Sequence, residues 1–292
     1  RPAAARAAPR AGASRGPTVV SGRAPDRATA AAAAGVPPGA WRPRDCHAHT
    51  TFSDGALSPE ALVAAAERRG VLPSIADHCS RDVSSAVASP AAIERYLDAL
   101  ARLQERVPTL GVSGEFCWHD TLWRELPGTL WRRFTHTVGS LHAVWLADGR
   151  RVHMFDRVWP AGLEVDAYME AHVANLERFA VEMPVDVLAH PTLLPLPLRG
   201  RPLEELWTEP REARAVAALH GAGIAFEVSN RYRAHPRFVR RAADAGVRLA
   251  LGSDGHTAEQ VGDLAWPLAL ARELAVADDA LYDFARHGRR PG

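Results

Sequence analysis

Nine side chains of metal-ligating type fall in short clusters along this 292-residue chain: His47, His49 and Asp54; His78; Glu115; His142; His190; Asp254 and His256. In His47-Ala48-His49 the imidazoles sit two residues apart, so an extended backbone turns both to one side. Neutral imidazole nitrogens and carboxylate oxygens suit zinc, manganese or iron without any thiolate. A lone His-x-His carries little information. Here Asp54 follows five residues later in Thr50-Thr51-Phe52-Ser53-Asp54-Gly55, and the remaining clusters recur down the chain. Together they predict one polynuclear metal site, if the fold brings them to one place.

Nearly every cluster ends a short apolar run of strand length. His47 and His49 close 41–49, His78 closes 71–77, Glu115 follows 110–114, His142 follows 138–141, His190 follows 185–189 and Asp254 follows 247–253. Helix signals lie between these runs. Ser58-Pro59-Glu60 supplies an N-cap, a first-turn proline and a first-turn acid, with Gly70 as the stop. Ser89-Pro90 repeats the device ahead of Ile93, Leu97, Leu100 and Leu103 at helical spacing, until Pro108. Residues 166–183, 209–219 and 236–245 read as further helices, and 223–228 as a sixth strand. The chain after Thr257 reads as helical, interrupted at Pro267 and near Asp278. Seven strands in βα alternation predict a parallel sheet with right-handed crossovers. The expected fold is α/β, a seven-stranded TIM-like (β/α)7 barrel with all the metal-type groups at one rim. The irregular segments 118–134, 145–165 and 191–202 leave that rim, where such folds carry their substrate loops.

Composition narrows the function classes. Thirty-five basic residues, all arginine, oppose 34 acidic ones, so no charge excess favours long nucleic acid or a membrane surface. No run approaches the roughly 18 apolar residues that a bilayer span requires. Three cysteines, Cys46, Cys79 and Cys117, form neither an even framework nor a CxxC knuckle, which favours a reducing, cytoplasmic setting. Cys46 and Cys79 are expected as small core residues. Residues 1–40, rich in Ala, Arg, Pro and Gly, are expected to be a disordered leader, leaving 41–292 as a single domain.

The motifs resemble those of the PHP superfamily, the polymerase-and-histidinol-phosphatase metalloesterases. His47-Ala48-His49 through Asp54-Gly55 is similar to its first motif and Ala76-Asp77-His78 to its second. Ala189-His190-Pro191 and Gly252-Ser253-Asp254-Gly255-His256 resemble later ones, with Gly114-Glu115 and Gly139-Ser140-Leu141-His142 between them. The resemblance implies a distorted barrel holding two to three divalent transition metals, zinc, manganese or iron. It places the first metal on His47, His49, Glu115 and Asp254, the second on Glu115, His142 and His190, and the third on Asp54, His78 and His256. Glu115 would bridge the first pair. Asp77 is expected beside the cluster, fixing a histidine tautomer.

Such a site suits phosphate-ester hydrolysis by a metal-activated hydroxide, because metal binding can lower the pKa of water to about 7. The expected substrate is a small phosphomonoester of the kind the histidinol-phosphatase branch hydrolyses, and Thr192 after His190-Pro191 departs from that branch. A nucleotide or oligonucleotide phosphatase or exonuclease of the same superfamily is the alternative, and a non-catalytic metal-binding domain is a third. Glu115, Asp254, His256 and Asp77 are the candidate catalytic residues. Arg231, Arg199 and Arg201 are the candidate phosphate-binding residues, because guanidinium groups hold phosphate through paired hydrogen bonds. The tryptophans of the rim loops, Trp118, Trp123, Trp131, Trp145 and Trp159, are expected to pack those loops.

Overall fold

A computed structural model describes residues 41–83 and 87–290, so the leader expected over 1–40 lies outside the described residues. Helix α1 (Pro59–Arg68) precedes strands β1 (Ser74–Ile75) and β2 (His78–Cys79), then α2 (Pro90–Gln104), β3 (Gly111–Val112) and β4 (Glu115–Cys117). Two one-turn helices, α3 (Leu122–Glu125) and α4 (Gly128–Trp131), lead to β5 (Val138–Ser140), β6 (Ala143–Trp145) and β7 (Arg151–His153). The second half comprises α5 (Val165–Glu182), β8 (Val187–Leu188), α6 (Leu203–Leu206), α7 (Glu209–Ala222) and β9 (Ala225–Ser229). It ends with α8 (Pro236–Asp244), β10 (Leu249–Gly252), α9 (Ala265–Glu273) and α10 (Phe284–His287).

Six strands form one parallel sheet in the order β10-β9-β8-β5-β4-β2, and β1 pairs with β3 in parallel. The two predicted N-terminal caps are formed: Ser58 Oγ accepts from Ala61 N and Ser89 Oγ from Ala92 N, both at 3.2 Å. Each such cap stabilises its helix by about 1 kcal/mol. Helix α2 then buries Ile93, Tyr96, Leu97, Leu100 and Leu103 against the sheet. Trp118 and Trp123 are buried in the same core, whereas Trp145 stays 38% exposed.

The described residues contain ten short strands rather than seven, and the differences have physical causes. The runs expected as the second and third strands, 71–77 and 110–114, hold β1 and β3, and after a break each is followed by a separate strand, β2 and β4, that opens on His78 or Glu115. The Tyr96 hydroxyl inserts at the breaks, accepting from Asp77 N at 3.3 Å and donating to the Ser113 carbonyl at 2.8 Å. Residues 41–49, expected as the first strand, make only isolated bridges, Arg44 to Leu72 and Ala48 to Gly255. Side chains supply much of their fastening. Arg44 donates to Asp283 and to the Pro73 and Thr109 carbonyls, while Asp45 accepts from Ser253 N, Ser253 Oγ and Gly262 N. Even so, backbone bonds run from this segment to both sides, Ala76 N to Ala48 O at 2.8 Å and Cys46 N to Leu251 O at 2.8 Å.

Two loops also differ from expectation. The segment after His142, read as irregular, folds back as the antiparallel hairpin β6–β7, with Val144 opposite Val152. After Thr257 the chain turns rather than running as helix, and α9 begins only at Ala265. Pro267 does not interrupt α9, because it occupies the first turn, where a helix leaves its backbone N–H groups unpaired anyway. No helix among the described residues is long and apolar enough to cross a membrane.

Two histidines outside the site are buried in the core without an acidic partner. Burial holds His172 down at about 3, with its Nδ1 unpaired between Tyr168 and Trp207, and His136 down at about 4. The folded state therefore keeps both neutral where the unfolded chain protonates them, so stability falls as the pH drops below about 6.5. His172 alone should cost about 2 kcal/mol at pH 5. Urea midpoints at pH 7.5 and pH 5 are expected to differ less in His172→Leu than in the wild type; an equal difference would contradict this account.

Candidate metal centre

The sheet register explains why the clusters meet. His78 opens β2 and pairs with Glu115, which opens β4, and Glu115 pairs in turn with Val138 of β5. His142, His190 and Asp254 each lie two residues beyond the ends of β5, β8 and β10. In a parallel sheet these positions share one edge. Glu115 stands at the middle, fully buried: His142 Nε2 and His190 Nε2 lie 3.3 and 3.1 Å from Oε1, and His78 Nδ1 and His47 Nε2 lie 2.6 and 3.5 Å from Oε2.

The other predicted ligands extend outward from this carboxylate. His49 Nε2 lies 3.0 Å from His47 Nε2 and 3.3 Å from Asp254 Oδ1. Asp54, the most exposed of the set, lies 3.6 Å from His78 Nε2 and 3.3 Å from His256 Nε2. All nine residues thus form one connected cluster. Within it, three sets have ligand atoms close enough to hold an ion: His47, His49 and Asp254; His78, Glu115 and His142; and His49, Asp54, His78 and His256. These overlap the expected groupings but differ at the joins, with His78 turned toward Glu115 and His49 close to the third set.

The donor set fits metal cations. Glu115 Oε2 and His78 Nδ1 are buried and close, yet neither makes a hydrogen bond. Burial would raise the Glu115 carboxyl, but His78, His142 and His47 outweigh it and hold the group well below the usual carboxylate range. Asp254 is likewise held low against burial by His49 and His47. Burial lowers His78, yet Glu115 and Asp54 carry it up to about 10, whereas burial and the neighbouring imidazoles take His49 down to about 3. An ionised carboxylate such as Glu115, out of water among imidazoles and with no Arg or Lys partner among the described residues, is costly unless a cation joins it.

Several residues that sequence reasoning passed over hold the ligands in place. Glu227, buried in the middle of β9, accepts from His47 Nδ1 at 2.8 Å and from His190 N at 2.5 Å. With its proton on Nδ1, His47 presents the Nε2 lone pair to the centre. Gly252 makes room for this carboxylate, since a Cβ there would sit 2.1 Å from Glu227 Oε1. The one signal for Glu227 was a single charge inside the apolar strand Ala-Phe-Glu-Val-Ser. His142 Nδ1 meets Cys117 Sγ at 3.0 Å and Ser140 Oγ at 3.3 Å. Asp77 serves no histidine ring: it accepts from Thr50 N, Thr50 Oγ1 and Ser53 Oγ, fastening the turn that carries Asp54. His190 and Asp254 have left-handed φ values of 32° and 49°, a cost that side chains other than glycine bear when the surrounding structure imposes it.

The cluster opens into a cavity of about 260 Å³, and four lining residues are not part of it: Val83, Phe155, Arg231 and Tyr232. Arg231 Nη1 lies 2.6 Å from His256 Nδ1, which is also 2.9 Å from the Asp254 carbonyl. A proton on Nδ1 serves the carbonyl, leaves Nε2 as the acceptor facing Asp54 and releases Arg231. Arg199 does not line the cavity. It donates to the Leu194 and Met154 carbonyls and packs between Phe155 and Tyr232, 5.2 and 5.5 Å from the ring centres. Arg201 lies away from the cavity, 3.6 Å from Glu205.

No protein-family model and no curated protein matches this chain. Among solved structures, a histidinol phosphate phosphatase from Lactococcus lactis, complexed with zinc, L-histidinol and phosphate, is similar with a TM-score of 0.61 at 14% identity. The match covers 83% of this chain and 95% of that one. At this identity the likeness is one of fold.

If Glu227 fixes the His47 tautomer and the His190 backbone, Glu227→Gln should weaken zinc binding by roughly ten- to a hundredfold. Gly252→Ala, which drives a methyl group into that carboxylate, should lose at least as much. Zinc titration against a chromophoric chelator measures both, and wild-type affinity in both variants would remove Glu227 from the account.

Proposed function

We propose that this protein is a metal-dependent phosphoesterase acting on a small phosphomonoester, with its ring of strands closed as a TIM-like barrel by residues 43–49. The observation that carries the reading is the convergence of four imidazoles on one buried carboxylate, Glu115. Backbone bonds from 43–49 to Leu72 and Ala76, which flank β1, and to Leu251 of β10 support the closure. The family resemblance and the fold shared with a zinc-containing phosphatase favour the same chemistry.

In this reading His47, His49 and Asp254, then Glu115, His142 and His190, then Asp54, His78 and His256 would hold two to three zinc, manganese or iron ions. Bound there, such ions supply Lewis acidity and a water of lowered pKa. The chain does the rest. Glu227 and the Ser140–Cys117 pair fix the imidazoles so that little reorganisation is left for the reaction. Arg231, at the cavity wall beside Asp254 and released by the Nδ1–H form of His256, orients the phosphate. The cavity, near the lower end of the roughly 300–1,000 Å³ usual for ligand clefts, suits a monoester better than a nucleic-acid strand. Three unpaired buried thiols suit a cytoplasmic setting.

Elemental analysis of the purified protein is expected to find two to three transition-metal equivalents per chain. Glu115→Gln, which removes the shared charge, should lower hydrolysis of an aryl phosphate at least about a hundredfold, since each such charge is worth several kcal/mol. A metal-free protein, or full activity in this variant, would overturn the reading. Activity should also decline below about pH 6, where protons compete for histidine ligands; a profile flat to pH 5 would count against it. Comparing histidinol phosphate, nucleoside monophosphates and a bis(aryl) phosphodiester sorts the ester classes.

A further inference from the structure

The outer half of the cavity differs in character from the inner half. Phe155, at the foot of the β6–β7 hairpin, is 41% exposed although it lines a cavity otherwise rich in charge. Its ring lies 6.0 Å from that of His142, and Tyr232 meets His190 edge-on at 5.4 Å. The two rings therefore border the mouth on either side of the second imidazole pair. Arg199 packs against both and is anchored by two backbone carbonyls, one of them that of Met154 beside Phe155. Val83 completes the apolar surface.

The charges around the mouth exclude one kind of guest. Among the described lining residues the carboxylates are Asp54, Glu115 and Asp254, all committed to the metal-type cluster. The acid next along the rim, Asp82, is already paired with Arg151 at 2.5 Å and His119 at 2.8 Å. An ammonium group entering beside Phe155 would face Arg231 in the lining and the field of the Arg199 guanidinium 5.2 Å from the Phe155 ring, with no free anion among the described lining residues. Leaving a cation without a partner in such a place costs more than aromatic contact returns.

We infer that the alcohol half of the substrate is an uncharged, flat, ring-sized group held against Phe155 and Tyr232 where they line the cavity, with Arg199 as the residue that positions both rings. This inference rests on the phosphoesterase reading and selects within it against amino-alcohol phosphates, histidinol phosphate included. The cavity of about 260 Å³ accommodates a phosphate with one ring. Apolar and stacking contact then supplies the selectivity.

The test compares the metal-loaded protein on benzyl phosphate, ethyl phosphate, 2-aminoethyl phosphate and histidinol phosphate. Benzyl phosphate is chosen because its alkoxide leaves about as reluctantly as the others, so a preference reports binding. Its kcat/KM is expected to exceed each of the other three at least tenfold, mainly through KM. Phe155→Ala and Tyr232→Ala should each reduce the benzyl-to-ethyl ratio about tenfold. Calorimetric titration with benzylphosphonate and ethylphosphonate should show the same preference in Kd and the same loss in the variants. Hydrolysis of ethyl phosphate with histidinol or aminoethyl phosphate preferred, or ratios unmoved in both variants, would overturn the inference alone. Failure to hydrolyse all four esters would overturn the phosphoesterase reading and this inference with it.

Discussion

A carboxylate sealed from water amid imidazoles is the constraint on which the site depends. Glu115 has no exposed surface, and four histidines from four different parts of the chain point at its two oxygens. Withdrawing an ionised carboxylate from solvent costs several kcal/mol unless opposite charge and hydrogen bonds compensate. Imidazoles compensate in part. They also keep lone pairs available, which arginine or lysine in the same positions could not do. The polypeptide thus gathers negative charge and lone pairs in one place, and the strand edges around β4 are the scaffold that makes this feasible.

The same device fastens the loops that bring those histidines together. Asp45 accepts from the backbone and hydroxyl of Ser253, Asp77 from the backbone and hydroxyl of Thr50, and Asp186 from the backbone and hydroxyl of Thr137. In each case a buried acid receives two parallel donors from a Ser or Thr at a turn. Two of the three clamps adjoin ligand-bearing segments, tying 45–47 to 253–254 and 77–78 to 50–54. Charge-assisted bonds of this kind are about twice as strong as neutral ones. They substitute for ladder bonds in exactly the stretch where regular pairing is thin.

Much of the arrangement was legible in the sequence because each ligand follows an apolar run, and parallel strands that end together place their next residues together. Helix starts at Ser58 and Ser89 were equally legible, since the cap and the proline are local signals. What escaped was tertiary. The breaks between β1 and β2 and between β3 and β4 depend on the Tyr96 hydroxyl arriving from α2, and no pattern within 71–77 or 110–114 announces it. Hairpin β6–β7 was hidden because Arg151-Val152-His153 carries a single apolar residue between polar ones. Glu227 belonged to no cluster, and its meaning depends on the opposing glycine at 252. Asp77 was assigned to a histidine by adjacency along the chain, whereas its side chain points to Thr50 and Ser53. Arg199 and Arg201 share one loop, yet the first reaches inward to two aromatic rings and the second stays at an exposed acid.

Hairpin β6–β7 also bears on how such a molecule can diverge. Its turn, residues 146–150, includes Gly149 at a φ of 82° with no atom within 4 Å of a would-be Cβ, and residues 147–150 are exposed. Insertions and deletions there leave the central sheet untouched, because exposed tips absorb length changes that strands do not. Yet the returning arm delivers Arg151, His153 and, just beyond, Phe155 to the rim. A lineage could lengthen or shorten this one ribbon and so recast which molecules are admitted, while the inorganic chemistry beneath stays as it was.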